Sequence, residues 1–210
     1  MDKPYSPYRI LSSNTKCGCS VNLPIRGHCT PTRVCARACY ARTGHCARPA
    51  SIRKQLYLSR YLKGNDLSRM VGESGKWRAV RLSGTGDLQT GHIRNILRLA
   101  GACPDTQFWG MTRKPDIARK LNRRLPNLKV MVSVDSSSPA SVWKYDGALC
   151  WGPRLAEDRV PRDPRIKVVF PYHCMGRVVQ AKLMPRDRRD CKAVWHEISG
   201  CQACGRCWDW

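Results

Sequence analysis

The chain has 210 residues with 38 Lys and Arg against 15 Asp and Glu, so its net charge is +23, and it contains 13 cysteines. Apolar residues make up 42% of it, enough to bury a core, while no apolar run reaches the roughly 18 residues that a membrane span requires. The chain begins without the apolar stretch of a signal peptide, so we expect a cytoplasmic protein with reduced thiols and no membrane partner. The excess of positive charge predicts a polyanionic partner, most simply nucleic acid, either DNA or RNA.

The first 47 residues are rich in Cys, Pro, Arg and Gly and show little periodicity. This composition predicts a long ordered loop that something other than a hydrophobic core must hold in place. Over residues 51–63 the pattern becomes that of an amphipathic helix, with Ile52, Leu56 and Ser59 on one face and the Arg and Lys side chains directed outward.

Strand and helix patterns then alternate along the chain. We predict strands at 78–83, 106–111, 128–134, 147–151 and 166–170, and helices over 93–100 and 115–125. Such alternation favours a parallel sheet, and roughly five βα units are too few for a closed barrel of about 250 residues. We therefore predict an α/β fold in which residues 1–190 form a partial, open TIM-like barrel with a Cys-rich N-terminal loop. Residues 191–210 would form a Cys-rich metal-binding appendage.

Polar residues follow several predicted strands, at the edge where parallel α/β proteins collect their functional groups. A glycine-containing turn with a carboxylate follows the predicted strand at 78–83. A hydroxyl and two cations follow the strand at 106–111, directly before a helix. A carboxylate among hydroxyls follows the strand at 128–134. We expect cofactor contacts from Ser83, Gly84, Gly86, Asp87, Thr112, Arg113, Ser133 and Asp135. Asp87, Asp135 and Arg113 are also the candidate catalytic residues, and Tyr172 and His173 follow the last strand. Taken singly, each of these residues also suits a cap or a turn.

The N-terminal cysteines are candidate metal ligands, because this segment has no periodic apolar face in which to bury thiols. The densest run is Cys29-x5-Cys35-x3-Cys39, whose three thiolates can converge on one centre. An iron–sulfur cluster held by three cysteines would leave one iron open. A zinc ion would need a fourth ligand, for which Cys46, His28 and His45 are the candidates.

The C-terminal cysteines form a more compact metal signal, Cys201-x2-Cys204-x2-Cys207. Cys191 is the favoured fourth ligand, with His196 and Cys174 as alternatives. The spacing does not distinguish a zinc ion from an iron–sulfur cluster here, and the conservative interpretation is that the metal has a structural role. Cys103 and Cys150 follow apolar residues within predicted elements, so we expect them in the core.

The chain resembles the phage-encoded gene product 88 family, which is similar to radical-SAM-like proteins. The resemblance covers most of the chain, and it rests on the combination of motifs rather than on any one of them. The residues that carry it are Leu11–Lys16, Leu23-Pro24, Cys29–Ala41, Ser83–Asp87, Phe108–Pro115, Ser133–Ser136, Phe170–His173, Asp190-Cys191 and Cys201–Trp208.

The resemblance implies roles for particular residues. Cys29, Cys35 and Cys39 would hold a [4Fe-4S] cluster whose fourth iron takes S-adenosylmethionine, which a one-electron reduction then cleaves to a radical. The turn from Gly84 to Asp87 would lie near the methionine amino group and Arg113 near the carboxylate. Ser133 and Asp135 would lie near the ribose, and Tyr40 near the adenine. If the protein is phage-encoded, its location would be the cytoplasm of the host cell.

Three functions remain open at this point. The first is an iron–sulfur, radical-SAM-like enzyme that modifies or repairs nucleic acid. The second is a nucleic-acid-binding protein without catalysis, in which zinc stabilises both cysteine groups. The third is a base-exchange enzyme of the tRNA-guanine transglycosylase kind, with Asp87 and Asp135 as nucleophile and base.

Overall fold

A single seven-stranded sheet organises the chain. The structure is a computed structural model that describes residues 9–14, 18–154 and 158–171, together with Arg189, Cys204 and Cys207. The strands are β1 (Ser12–Asn14), β2 (Gly18–Ser20), β3 (Ala79–Leu82), β4 (Gln107–Thr112), β5 (Leu128–Val134), β6 (Leu149–Arg154) and β7 (Ile166–Pro171). Their order in the sheet is their order in the sequence. The first two are antiparallel, whereas β2 to β7 run parallel.

The sheet is open over the described residues, because β1 and β7 are its two edges. The prediction of a mixed α/β fold with an open, mostly parallel sheet is thus confirmed. All five predicted strands are present, and β5 has the predicted bounds. The N-terminal segment is more regular than we predicted, since it contributes β1, β2 and a short helix.

Six α-helices accompany the described strands. They are α1 (Arg33–Arg37), α2 (Pro49–Tyr61), α3 (Ser68–Ser74), α4 (Ile93–Ala102), α5 (Pro115–Asn122) and α6 (Ala140–Trp143). Pro115 and Asp116 suit the first turn of α5. Proline has no N–H group that would need a partner there, and the carboxylate of Asp116 interacts favourably with the positive end of the helix dipole. None of the described helices is long and apolar enough to cross a membrane.

The two faces of the sheet have different coverings. The larger apolar cluster joins Leu82, Phe108 and Val132 from the strands to Leu58 of α2 and Leu99 of α4. The buried residues of α3 and α5 belong to the same cluster, so the longer helices cover one face. Alternate strand residues form a second, smaller cluster on the other face.

The second cluster contains strand residues and one cysteine from the end of the chain. Its members include Trp109, Met131, Cys150 and Val168, and Cys207 packs among them at 7% exposure. Both predicted core cysteines, Cys103 and Cys150, are buried. The predicted division of the chain at residue 190 stays a prediction, because most of 191–210 lies outside the described residues.

One asparagine ties the loop between α4 and β4 to the start of β5. The side-chain amide of Asn127 donates to the carbonyl oxygens of Ala100, Cys103 and Thr106 at 2.9–3.0 Å. All three acceptor residues are buried, so removing this donor takes one hydrogen bond from each of three buried carbonyl groups, of which those of Ala100 and Cys103 also accept from the backbone.

We expect Asn127→Ala to lower the free energy of unfolding by roughly 2–3 kcal/mol, because three hydrogen bonds of about 1 kcal/mol each are lost. The matched control is Asn65→Ala at an exposed position, for which we expect a change within about 0.5 kcal/mol. Urea unfolding at neutral pH measures both. Equal effects of the two substitutions would contradict the role of Asn127.

Candidate functional site

Polar side chains from neighbouring parallel strands meet at the carboxyl edge of the sheet. Ser83 follows β3 with φ 52°, and its hydroxyl donates to the carbonyl of Met111 at 2.9 Å. Ser133, near the end of β5, donates to the carbonyl of Gly152 at 3.2 Å. These contacts tie adjacent strand ends together, as the parallel sheet predicts for residues in equivalent positions.

The carboxylate of Asp87 connects the turn after β3 to the end of β4. It accepts hydrogen bonds from the hydroxyl of Thr112 at 2.6 Å and from the backbone N–H groups of Leu88 and Arg113 at 2.7 and 3.3 Å. Burial raises the pKa of Asp87, while the bond from Thr112 and the charge of Lys114 oppose that rise. Within the described residues this carboxylate is therefore engaged by the protein itself.

Asp135 joins the cysteine-bearing loop to the end of β5. Its side chain is fully buried. One carboxylate oxygen accepts from the hydroxyl of Thr32 at 2.5 Å and pairs with the guanidinium of Arg113 at 2.8 Å. The other accepts from the backbone N–H and the hydroxyl of Ser137, both at 2.9 Å. Thr32 also caps α1 by accepting from the N–H of Cys35 at 3.1 Å, so Asp135 fixes the start of the helix that carries this cysteine.

Arg113 contacts both carboxylates, and part of its guanidinium has no hydrogen-bond partner among the described residues. Its Nη2 contacts Asp135 and donates to the carbonyl of Gly152 at 2.9 Å. Its Nη1 is buried and has no hydrogen-bond partner among the described residues. A buried guanidinium N–H without an acceptor is costly, so this atom suits an anionic ligand at the edge.

The three cysteines of the predicted cluster motif interact electrostatically near this edge. Burial raises the pKa of Cys29 to about 12, and the negative charges of Asp87, Cys35 and Cys39 add to the effect. Burial also raises the pKa of Cys35, where the guanidinium of Arg113 opposes it and Cys39 adds to it. The thiols therefore lie within electrostatic range of one another and of the carboxylates.

No three His, Cys, Asp or Glu side chains are close enough to bind a single metal ion in the part of the chain that the structure describes. All nine described cysteines are free thiols. Cys46 lies within electrostatic range of Cys39. Burial raises the pKa of Cys46, and the negative charge of Cys39 adds to that rise. The imidazole Nε2 of His45 is 3.3 Å from the Cys46 sulfur.

The predicted glycine turn packs closely against the chain itself. Gly86 has φ +70°, and a Cβ there would lie 2.5 Å from the carbonyl oxygens of Leu23 and Pro24. A Cβ on Gly84 would lie 2.3 Å from the side-chain oxygen of Asn22. The hydroxyl of Tyr40 donates to the carbonyl of Gly84. These glycines allow the segment before the cysteine loop to lie against the turn after β3, and a ligand contact from them stays a prediction.

His28, which precedes Cys29, is linked to a second histidine, His92, that the sequence did not single out. The hydroxyl of Ser59 in α2 lies 3.1 Å from His28 Nε2 and 3.3 Å from His92 Nε2. The Nδ1 of His92 accepts from the backbone N–H of Gln89, so its Nε2 carries the proton and donates to Ser59. Ser59 then donates to His28, which leaves a buried N–H at its Nδ1 with no partner among the described residues. Since 31 and 33 residues separate Ser59 from its partners, no local pattern could reveal the contact.

Lys114 also holds the cysteine-bearing loop against the edge of the sheet. Its ammonium donates to the carbonyl oxygens of His28 and Leu88 at 2.9 and 3.0 Å. Lys114, one of the two cations that follow the second predicted strand, therefore holds the residue that precedes Cys29.

Several predicted site residues lie outside the described part of the chain. They are Tyr172, His173, Cys174, Cys191, His196 and Cys201. Of the predicted C-terminal ligands, the structure describes Cys204, which is partly exposed, and Cys207, which is buried.

Fold and site together define an α/β protein with an open sheet whose carboxyl edge holds a cysteine-bearing loop. A family model, Gene product 88, matches residues 7–210. The chain belongs to this family, which confirms that part of the resemblance found in the sequence. Searches among curated proteins and solved structures gave no match.

We expect Gly86→Ala to lower the free energy of unfolding by about 2 kcal/mol or more, because Ala is strained at positive φ and its Cβ would meet two carbonyl oxygens. The control is Gly72→Ala in α3, where a Cβ meets nothing within 4 Å. That substitution is expected to be neutral or to stabilise by up to about 1 kcal/mol. Thermal and urea unfolding measure both, and a harmless Gly86→Ala would contradict the close approach.

The buried His92 predicts a loss of stability in acid. Burial, the charge of His28 and that of nearby lysines lower its pKa from 6.5 to about 4. Below pH 6.5 His92 binds a proton in the unfolded chain, whereas it stays neutral in the folded chain until the pH approaches 4. The free energy of unfolding that this difference contributes at pH 7 is therefore lost as the pH falls towards 4. Between pH 7 and 5 this contribution amounts to about 2 kcal/mol.

The pH dependence is tested by comparing the wild type with His92→Gln in urea at both pH values. The variant should lose about 2 kcal/mol less than the wild type over this interval. Asn65→Ala, at an exposed position, should reproduce the wild-type slope. An unchanged slope in His92→Gln would overturn the assignment.

Proposed function

We propose that the chain is a radical-SAM-like iron–sulfur enzyme that modifies or repairs nucleic acid. The observation that carries the proposal is the approach of Cys29, Cys35 and Cys39 to one another beside Arg113, at the edge where parallel α/β proteins place their chemistry.

Three cysteines are the ligand set that the proposed cluster requires. Thiolates that hold an iron–sulfur cluster bind different iron atoms, so they stand farther apart than the ligands of one ion. Cys29, Cys35 and Cys39 lie within electrostatic range of one another, which supports their assignment to one cluster. A [4Fe-4S] cluster bound by three cysteines would offer its fourth iron to S-adenosylmethionine and supply the electron that cleaves it.

Arg113 is the candidate for orienting the cofactor. Its buried, unpartnered Nη1 needs an acceptor, and a carboxylate such as that of methionine satisfies this need with a charge-assisted bond. Asp135 holds the guanidinium in position through Nη2. The remaining predicted contacts, from Tyr40, Ser83, Gly84, Gly86, Asp87, Thr112 and Ser133, belong to this proposal.

The two buried carboxylates are better suited to positioning than to covalent catalysis. Asp87 accepts three hydrogen bonds and Asp135 is held by Thr32, Arg113 and Ser137. A nucleophile or general base needs a lone pair aimed at the substrate. This favours the iron–sulfur enzyme over the base-exchange enzyme, in which Asp87 and Asp135 would react.

The fold is compatible with part of a TIM-like barrel. The parallel strands follow one another in order, and the longer helices share one face of the sheet. The face without those helices carries Cys207, which belongs to the proposed second metal centre with Cys191, Cys201 and Cys204. Nucleic acid as substrate rests on the net charge of +23.

A zinc-stabilised nucleic-acid-binding protein without catalysis is the second candidate. The Cys46 sulfur and His45 Nε2 stand 3.3 Å apart, and Cys39 lies within electrostatic range of Cys46. Thiolate and imidazole are the ligands that zinc prefers, so metal analysis of the same preparations separates the two functions.

Anaerobic purification, followed by absorption spectroscopy and assay of iron, sulfide and zinc, tests the proposal. We expect Cys29→Ala, Cys35→Ala and Cys39→Ala each to lose about four iron atoms per chain. Cys103→Ala, which removes a buried thiol elsewhere in the fold, should retain the iron. Reduction of the wild type with S-adenosylmethionine present should release methionine.

A colourless preparation that contains zinc alone would overturn the cluster. Iron and sulfide that survive all three cysteine substitutions would move the cluster to the C-terminal cysteines. If the cluster is present but S-adenosylmethionine is not cleaved, the radical chemistry is wrong and the protein is an iron–sulfur protein of another kind.

A further inference from the structure

The positive charge is unevenly distributed along the chain. Residues 21–65 contain nine Lys and Arg and no Asp or Glu. Eight of these nine cations are exposed, at positions 26, 33, 37, 42, 48, 53, 60 and 63. This segment carries the three cysteines of the proposed cluster, and every charged side chain in it is a cation.

The same segment carries the large apolar side chains that the described part of the chain exposes. They are Tyr40, Ile52 and Leu56, which are 56%, 42% and 44% exposed. Ile52 and Leu56 are four residues apart in α2 and therefore neighbours on its surface. Arg53 and Arg60 lie three residues before and four residues after Leu56, and Arg48 is the residue from which the helix begins.

The buried side of α2, which adjoins the exposed one, is fixed to the cysteine loop. The side-chain amide of Gln55 donates to the carbonyl of Cys46 at 3.2 Å. Ser59 contacts His28, the residue before Cys29, at 3.1 Å. Gln55, Leu58 and Ser59 are the buried residues of the helix. The outward face of α2 is thus held in a defined position next to the site.

We infer that this outward face, formed by Arg48, Ile52, Arg53, Leu56 and Arg60, docks single-stranded nucleic acid and leads it to the cysteine site. The inference rests on the proposed nucleic-acid substrate. The arginines bind successive phosphates, and the two aliphatic side chains contact the bases. An enzyme that acts on a base needs it outside the duplex stack, which a single strand provides directly.

An anionic membrane is the competing partner for a basic helix with exposed apolar residues. The described contacts favour nucleic acid, because α2 exposes only two large apolar side chains and no aromatic residue comparable to a membrane anchor. The unneutralised charge also continues beyond the helix through residues 26–42, which matches an extended phosphate chain.

The test compares two triple variants that remove the same charge. Arg48→Gln, Arg53→Gln and Arg60→Gln together alter the outward face of α2. Lys120→Gln, Arg123→Gln and Arg124→Gln together alter exposed positions at the end of α5, which precedes β5 and so lies toward the amino edge of the sheet. Fluorescence anisotropy with labelled oligothymidylate and oligouridylate of about 20 nucleotides measures affinity across a salt series. Circular dichroism and thermal unfolding verify that each variant is folded.

We expect the α2 variant to reduce the slope of log affinity against log salt by about 2, and to weaken binding about 100-fold near 0.1 M salt. The α5 variant should bind within about threefold of the wild type. Duplex of the same length should bind the wild type more weakly than the single strand.

Equal losses in both triple variants would overturn the assignment to α2 and leave nucleic acid as the partner. A wild type that binds no oligonucleotide would overturn the nucleic-acid part of the proposed function itself, whereas iron analysis would still report on the cluster. Tighter binding to phosphatidylserine vesicles than to either oligonucleotide, abolished in the α2 variant, would overturn the inference in favour of a membrane.

Discussion

The buried carboxylate of Asp135 is the constraint on which the site depends. It joins three parts of the chain: the cap of α1 through Thr32, the end of β4 through Arg113, and its own turn through Ser137. Removing a buried charge from water is expensive unless it is paired and hydrogen-bonded. The chain meets this requirement only when the cysteine loop lies over the strand ends, so the burial of one carboxylate specifies the position of the loop.

The same principle extends around the edge of the sheet. Asp87, Lys114 and the Ser59–histidine network each satisfy a buried polar group with a partner from a distant part of the sequence. The segment over residues 25–47 contributes no side chain to either apolar cluster of the sheet, and polar contacts hold it in place instead. Such networks specify one arrangement strongly, because a partly satisfied network is costly.

Much of the sheet could be predicted, whereas the contacts of the site could not. β5 is almost continuously apolar and β-branched, so its bounds were recoverable from residue types alone. β1 and β2 have three residues each, mostly Ser, Asn, Gly and Cys, and they are strands because they pair along the edge next to β3. Asp87 and Asp135 stood out by their positions after strands. Their partners Thr112 and Thr32 lie 25 and 103 residues away, and only the three-dimensional fold brings them together.

The consecutive strand order has a consequence for how the protein assembles. Each strand from β3 onward pairs with the strand made just before it, so the sheet can extend as the chain leaves the ribosome. The loop that bears Cys29, Cys35 and Cys39 is synthesised early, but its anchor at Asp135 comes 103 residues after Thr32. The contact that fixes the loop to the edge of the sheet can therefore form only after β5 has been made. For the cluster proposed above, the synthesis of β3 to β5 is the interval in which metal can reach the thiols before that contact forms.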